Sequence, residues 1–264
     1  MAATQDDLAL ALELANVADA ITVARFGAAD LVVETKPDMT PVTEADTAVE
    51  RTLRERLASA RPGDAILGEE YGSTEDASEN GRRWIVDPID GTMNYVRGIP
   101  VWGTLLALQD GDQFTVGVVS APALQRRWWA ARGAGAFVRD GLATEPRRLR
   151  VSSVRGLESA QLCISGFDGW EANGALDRLL ALSRRCWRTR GFGDFWIYML
   201  VAEGVADVAC EAVVSLWDLA APQMIVEEAG GTFTDLAGVP TADGGDALAS
   251  NGWLHEEALA IVRR

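Results

Sequence analysis

Basic side chains other than arginine are nearly missing from this chain. Lys36 is the only lysine, His255 is the only histidine, and the formal charge is -15. Such a surface repels nucleic acid, and no basic stripe interrupts it. The lone histidine opens the expected last helix in Gly252-Trp253-Leu254-His255. It reads as structural, which removes histidine-rich metal sites. Cysteine is scarce too: Cys163, Cys186 and Cys210 are widely spaced, and no CxxC pair exists. That argues against a disulfide framework or a zinc knuckle, and the three read as buried thiols. No apolar run approaches the ~20 residues of a membrane span. Residues 1–7 lack the basic start and apolar centre of a secretory signal, so a cytoplasmic protein is expected. The chemistry must run on carboxylates, hydroxyls and metal. An anionic substrate would also be repelled, and bound metal is the obvious source of local positive charge.

Apolar periodicity supplies the coarse organisation. Leu10, Leu14, Val17 and Ile21 mark a helix over 6–26. A second helix follows Pro41, with Thr43 as a candidate N-cap and Val49, Leu53 and Leu57 as an i, i+4 ladder. Residues 65–68 and 84–86 read as short buried strands that end in Glu69-Glu70 and in Asp87. Strands over 101–108 and 114–119 flank Asp110-Gly111, a hairpin signal, and 127–131 and 136–138 extend the sheet. The polar stretch 143–148 looks like a boundary, dividing 1–145 from 146–264. Beyond it come a strand at 162–164, helices over 176–182 and 195–202, a strand at 207–210, and a helix over 219–229 closed by Gly230-Gly231. The pattern is α/β: an α+β first half, an α/β second half, and sheets interleaved with helices.

Acidic groups cluster at strand ends and turns: Glu69-Glu70, Asp87, Asp90 and Asp218. Carboxylates brought together either rise in pKa or hold a cation, and hard oxygen ligands suit Mg²⁺. In Asp87-Pro88-Ile89-Asp90-Gly91-Thr92, Pro88 stiffens the turn and Gly91 allows close backbone approach. Thr92 opens a helical turn whose free N–H groups suit a phosphate. An ordinary capped turn would account for this hexapeptide equally simply. Asp46 likewise has two readings, a capping-box partner of Thr43 or a base that helps deprotonate water.

These motifs together resemble the inositol-monophosphatase-like, lithium-sensitive phosphatases. The resemblance rests on Gly68-Glu69-Glu70, on Trp84 to Tyr95, on Trp217-Asp218-Leu219-Ala220-Ala221 with Glu228-Ala229-Gly230-Gly231, and on Pro41 to Asp46. Within the family the chain is most similar to the bacterial histidinol-phosphate phosphatases, through residues 97–102, 120–130 and 191–195. The resemblance implies a layered αβαβα sandwich and a homodimer that hydrolyses a small phosphorylated metabolite with two or three Mg²⁺. Glu69, Asp87 and the Ile89 carbonyl would hold one ion. Asp87, Asp90 and Asp218 would hold another. Gly91 and Thr92 would donate N–H groups to the phosphate, and Thr92 with Asp46 would activate water. Asp90, Asp194 and Glu211 would face the leaving group. Two acids there complement the amine and imidazole of histidinol, whereas Asp194 as a helix N-cap is the plain alternative. Inositol monophosphatase, or a broad sugar-phosphate phosphatase, is the competing activity. A complete ligand set argues against a non-catalytic homologue. Met93 replaces a lysine usual in the subgroup, and 162–170 departs from its serine-rich pattern.

Overall fold

A computed structural model describes residues 5–37, 39–74, 81–141, 143 and 145–264. Met1–Thr4, within the stretch read as lacking a secretory signal, and Thr144, within the boundary stretch, lie outside them. Among the described residues, no helix is long and apolar enough to cross a membrane.

Two sheets form the frame. The larger runs, in spatial order, through Arg147–Arg148, Gly135–Asp140, Arg126–Ala131, Gln113–Ala121, Gly103–Asp110, Arg82–Asp90, Ala65–Gly68 and Gly72–Ser73. Only the pairing of Ala65–Gly68 with Arg82–Asp90 is parallel. The smaller orders Arg188–Gly191, Gln161–Ile164, Val208–Glu211, Ala247–Ser250 and Thr232–Thr234.

Strand alternation sorts apolar side chains to two faces of the large sheet. Trp84, Val86, Leu106, Leu108, Val116 and Val118 pack on one face against the helices Gln5–Arg25 and Glu44–Ala60. Ile85, Leu105, Ala107 and Val119 face the other way, onto the helices Trp196–Ala202 and Leu216–Glu228. Those two helices lie between the sheets, because Phe233, Ala247 and Ala249 of the small sheet join the same core. The helices Leu176–Arg185 and His255–Val262 cover the small sheet's outer face through Leu179, Leu182, Leu254 and Val262. The outcome is the expected layering, helix–sheet–helix–sheet–helix. Approach at the centre is tight. A Cβ on Gly117 would lie 2.9 Å from the Ala221 carbonyl, so glycine lets the Leu216–Glu228 helix sit directly on the sheet.

Two sequence expectations change here. The strand read at 84–86 runs from Arg82 to Asp90, and the helix read at 219–229 starts at Leu216. Ser215 and Asp218 form a capping box, so Asp218 sits in the first helical turn instead of at a strand end. The plain reading of His255 holds. His255 is buried, its ring nitrogens 3.0 Å from the Thr234 and Ser250 hydroxyls. The cysteines are free, Cys186 being only half-buried. Trp102 packs in the core with Phe26 and Tyr95, and Trp170 packs beneath the small sheet.

Candidate active site

The strand Arg82–Asp90 solves a problem of direction. Residues three apart on a regular strand point to opposite faces. Between Asp87, paired with Leu105, and Asp90, paired with Gly103, the register shifts by one extra residue. This bulge returns Asp90 to the side of Asp87. The Thr104 hydroxyl braces it by donating 2.8 Å to the Pro88 carbonyl. The helix carrying Asp218 descends onto the same spot. Oxygens of Asp87, Asp90 and Asp218 then lie within 4.8 Å of one another.

This trio is electrostatically incomplete. Both Asp87 oxygens are buried and lack any hydrogen-bond partner among the described residues. Burial, together with the charges of Glu69, Asp90 and Asp218, raises the Asp87 pKa. Burial, then Asp194 and Asp218, raises Asp90. Burial holds Asp218 at about 6, although the Ser215 N–H donates to it at 2.8 Å. A buried, unpartnered carboxylate is costly unless a cation meets it, so this donor set fits a hard divalent ion. Glu69 lies outside the trio. Its Oε1 accepts 2.8 Å from Lys36 Nζ, which also reaches Glu70 Oε1 at 2.7 Å. Burial works against the Lys36 charge, but the two glutamates outweigh it and raise its pKa. The only lysine thus supplies positive charge beside the acids, while Met93 points to solvent.

Asp46 uses its two oxygens for different partners. Oδ2 accepts from the Thr43 N–H at 2.9 Å and completes the capping box of the Glu44–Ala60 helix. Oδ1 accepts from the Thr92 hydroxyl at 3.3 Å, and that hydroxyl also lies 2.9 Å from the Ile89 carbonyl. Burial lifts Asp46 to about 6. Gly91 takes φ +82°, and a Cβ there would press the Val101 carbonyl and Asp194. That glycine starts the short helix Thr92–Val96 at the strand's end.

Asp194 is not the side-chain cap of its own helix. It adopts φ +49°, unusual outside glycine, and its Oδ2 accepts 2.7 Å from Asn94. Asp90 takes the capping position instead, accepting 2.6 Å from the Phe195 N–H. The Ser165 hydroxyl accepts from the Asp194 N–H at 3.0 Å. Burial pushes Asp194 up to about 6 and Glu211 up to about 7.

Ser165, Asn94 and Glu50 escape a reading by motif. Glu50 had a signal, an acid one turn after Asp46 on the apolar face of Val49, Leu53 and Leu57. It is fully buried and accepts from the Glu70 N–H at 2.7 Å, the Tyr71 N–H at 3.1 Å and Arg54 at 2.8 Å. These contacts pin the turn that presents Glu69. They also explain Gly68, where a Cβ would lie 2.0 Å from Glu50 Oε1. Gly68→Ala is therefore expected to cost about 2–3 kcal/mol of stability. It should also weaken the binding of a divalent cation several-fold. Calorimetry and a Mg²⁺ titration check both, and an unchanged Mg²⁺ response would separate the turn from metal binding.

Residues 4–264 match the inositol monophosphatase family. A histidinol-phosphatase of Mycobacterium tuberculosis is 56% identical over 257 residues, covering 97% of each chain. A histidinol-phosphatase of Streptomyces coelicolor is 55% identical, covering 98% of this chain and 97% of its own. Among solved structures, the extragenic suppressor protein suhB of Bartonella henselae superposes with a TM-score of 0.87 at 28% identity, covering 98% of this chain and 99% of that one. With the five layers and the acidic trio in place, these likenesses establish that the chain belongs to the inositol monophosphatase family and is a phosphoric monoester hydrolase of that metal-dependent group.

Proposed function

We propose that the protein hydrolyses L-histidinol phosphate to L-histidinol and phosphate, with two or three Mg²⁺, as a step of histidine biosynthesis. The observation that carries the substrate is the pair Asp194 and Glu211, set close enough to Asp90 that both oppose its ionisation. Two half-buried acids favour a leaving group that brings positive charge, and histidinol brings an amine and an ionisable imidazole. The shared name of the two relatives above 50% identity supports the same substrate.

Each residue then has a task. Glu69, Asp87 and the Ile89 carbonyl hold one cation; Asp87, Asp90 and Asp218 hold another. When bound, Mg²⁺ supplies charge that makes water acidic and offsets the phosphate oxygens. Asp46 accepts a proton passed through the Thr92 hydroxyl, for which the 3.3 Å contact and a pKa of about 6 suit it. Gly91 and Thr92 present the first N–H groups of the Thr92–Val96 helix to phosphate. In this scheme 1–145 carries most of the cation ligands, and 146–264 contributes Asp218 and the substrate acids. The protein would act as a cytoplasmic homodimer.

Phosphate release from histidinol phosphate, inositol 1-phosphate and glycerol phosphate tests the substrate. Histidinol phosphate is expected to give the highest kcat/KM. Asp194→Asn should reduce that value about tenfold or more, an ionic hydrogen bond being lost, and reduce the inositol value much less. Equal losses on both substrates would remove the argument from Asp194.

A further inference from the structure

Tyr198 stands out in the helix Trp196–Ala202. Residues 197–202 are all buried, and Tyr198 is the one among them with a side-chain polar atom that can donate a hydrogen bond. Phenylalanine would bury the same ring. A phenolic hydroxyl in an apolar layer costs free energy unless it is bonded. Here it donates 2.5 Å to Glu211 Oε2. The ring is set by Phe233, with centroids 5.7 Å apart. Glu211 ends the strand Val208–Glu211. Tyr198 also sits one turn after Asp194 and Phe195, so its helix is anchored to Asp90 at the other end.

We propose that Tyr198 is a positioning residue that fixes the Glu211 carboxylate for contact with the leaving group. Its hydroxyl occupies one oxygen and sets the carboxylate plane. The other oxygen remains an acceptor for an N–H or O–H of the departing alcohol. The inference rests on Glu211 facing the leaving group, but not on the identity of that group. The device acts beyond the ester oxygen and leaves phosphate handling alone. Discrimination between phosphate monoesters is therefore set partly from the buried layer between the sheets.

The test compares Tyr198→Phe, Glu211→Ala and the double variant on two substrates. One is the member of the panel above that wild type turns over best. The other is p-nitrophenyl phosphate, whose leaving group has no donor to offer. Tyr198→Phe is expected to raise KM for the favoured substrate about tenfold, as loss of a bond to a charged group does. KM for p-nitrophenyl phosphate should stay within about twofold, and kcat on both should be retained. In the Glu211→Ala background the same change should add nothing. Parallel rises on both substrates, or a full effect without Glu211, would overturn the proposal. Should the favoured substrate prove to be a polyol phosphate, the histidinol assignment falls, while Tyr198 is judged on the same ratio.

Discussion

Replacing Asp87 with asparagine is expected to abolish hydrolysis and, in the same protein, to stabilise the metal-free fold. Asp87 is 1% exposed, and neither of its oxygens has a hydrogen-bond partner among the described residues. Three neighbouring acids and its own burial oppose its ionisation. At neutral pH without metal the fold bears that cost, and a neutral amide of the same shape removes it. The metal-free melting temperature should rise by about 3–6 °C, at ~2–4 °C per kcal/mol for a chain of this size. Activity should fall by at least about a thousandfold, because the amide would not supply the charge that the proposed cation, held with Asp90 and Asp218, would require. Calorimetry in EDTA and a phosphate-release assay in Mg²⁺ measure the two effects. A lower metal-free melting temperature would show that Asp87 is satisfied in the apo fold. Activity within tenfold of wild type would remove it from the cation site.

The second large effect is a reversal of the usual pH response. Asp46 and Asp218 sit at about 6 and Glu211 at about 7, with Asp87 and Asp90 also raised. In the unfolded chain such groups titrate near ~4. The folded state therefore binds their protons first as pH falls. Their contribution to stability is least favourable above about pH 7, improves as pH falls toward about 4, and changes no further below that. The increment produced by Mg²⁺ isolates the site. Protons and cations compete for the same oxygens, so the increment should be large at about pH 8 and nearly vanish at about pH 5. At a hundredfold excess over Kd it amounts to about 2.7 kcal/mol. Melting curves with Mg²⁺ and with EDTA at both pH values give it directly. An equal increment at the two would mean that the cation does not bind through these raised carboxylates.

Much of this was readable along the chain. The 3.6-residue ladder of Val49, Leu53 and Leu57, the capping pair Thr43 and Asp46, and the alternation through Trp84, Ile85 and Val86 are local patterns. The physics behind them acts over a few residues, so order in the chain is enough. The layered α/β architecture followed from those elements, and the acids at 69, 87, 90 and 218 announced a cation. The Ser215–Asp218 capping box is equally local, and it places Asp218 in a helix's first turn.

What the tertiary structure alone decided is how those acids are shared out. Asp90 caps the Trp196–Ala202 helix across 105 residues, and Asn94 holds Asp194 across 100. One extra residue in a strand turned Asp90 to the side of Asp87. Lys36, Glu50, Ser165 and Tyr198 each acquired a partner that no spacing in the sequence foretells. The scarcity of basic charge and histidine, met first in the sequence, determined that catalysis would rest on carboxylates and a cation. Which carboxylates are left without a donor depended on packing two sheets and their helices, because the cost of an unmet charge is set by distances in space and not by position in the chain.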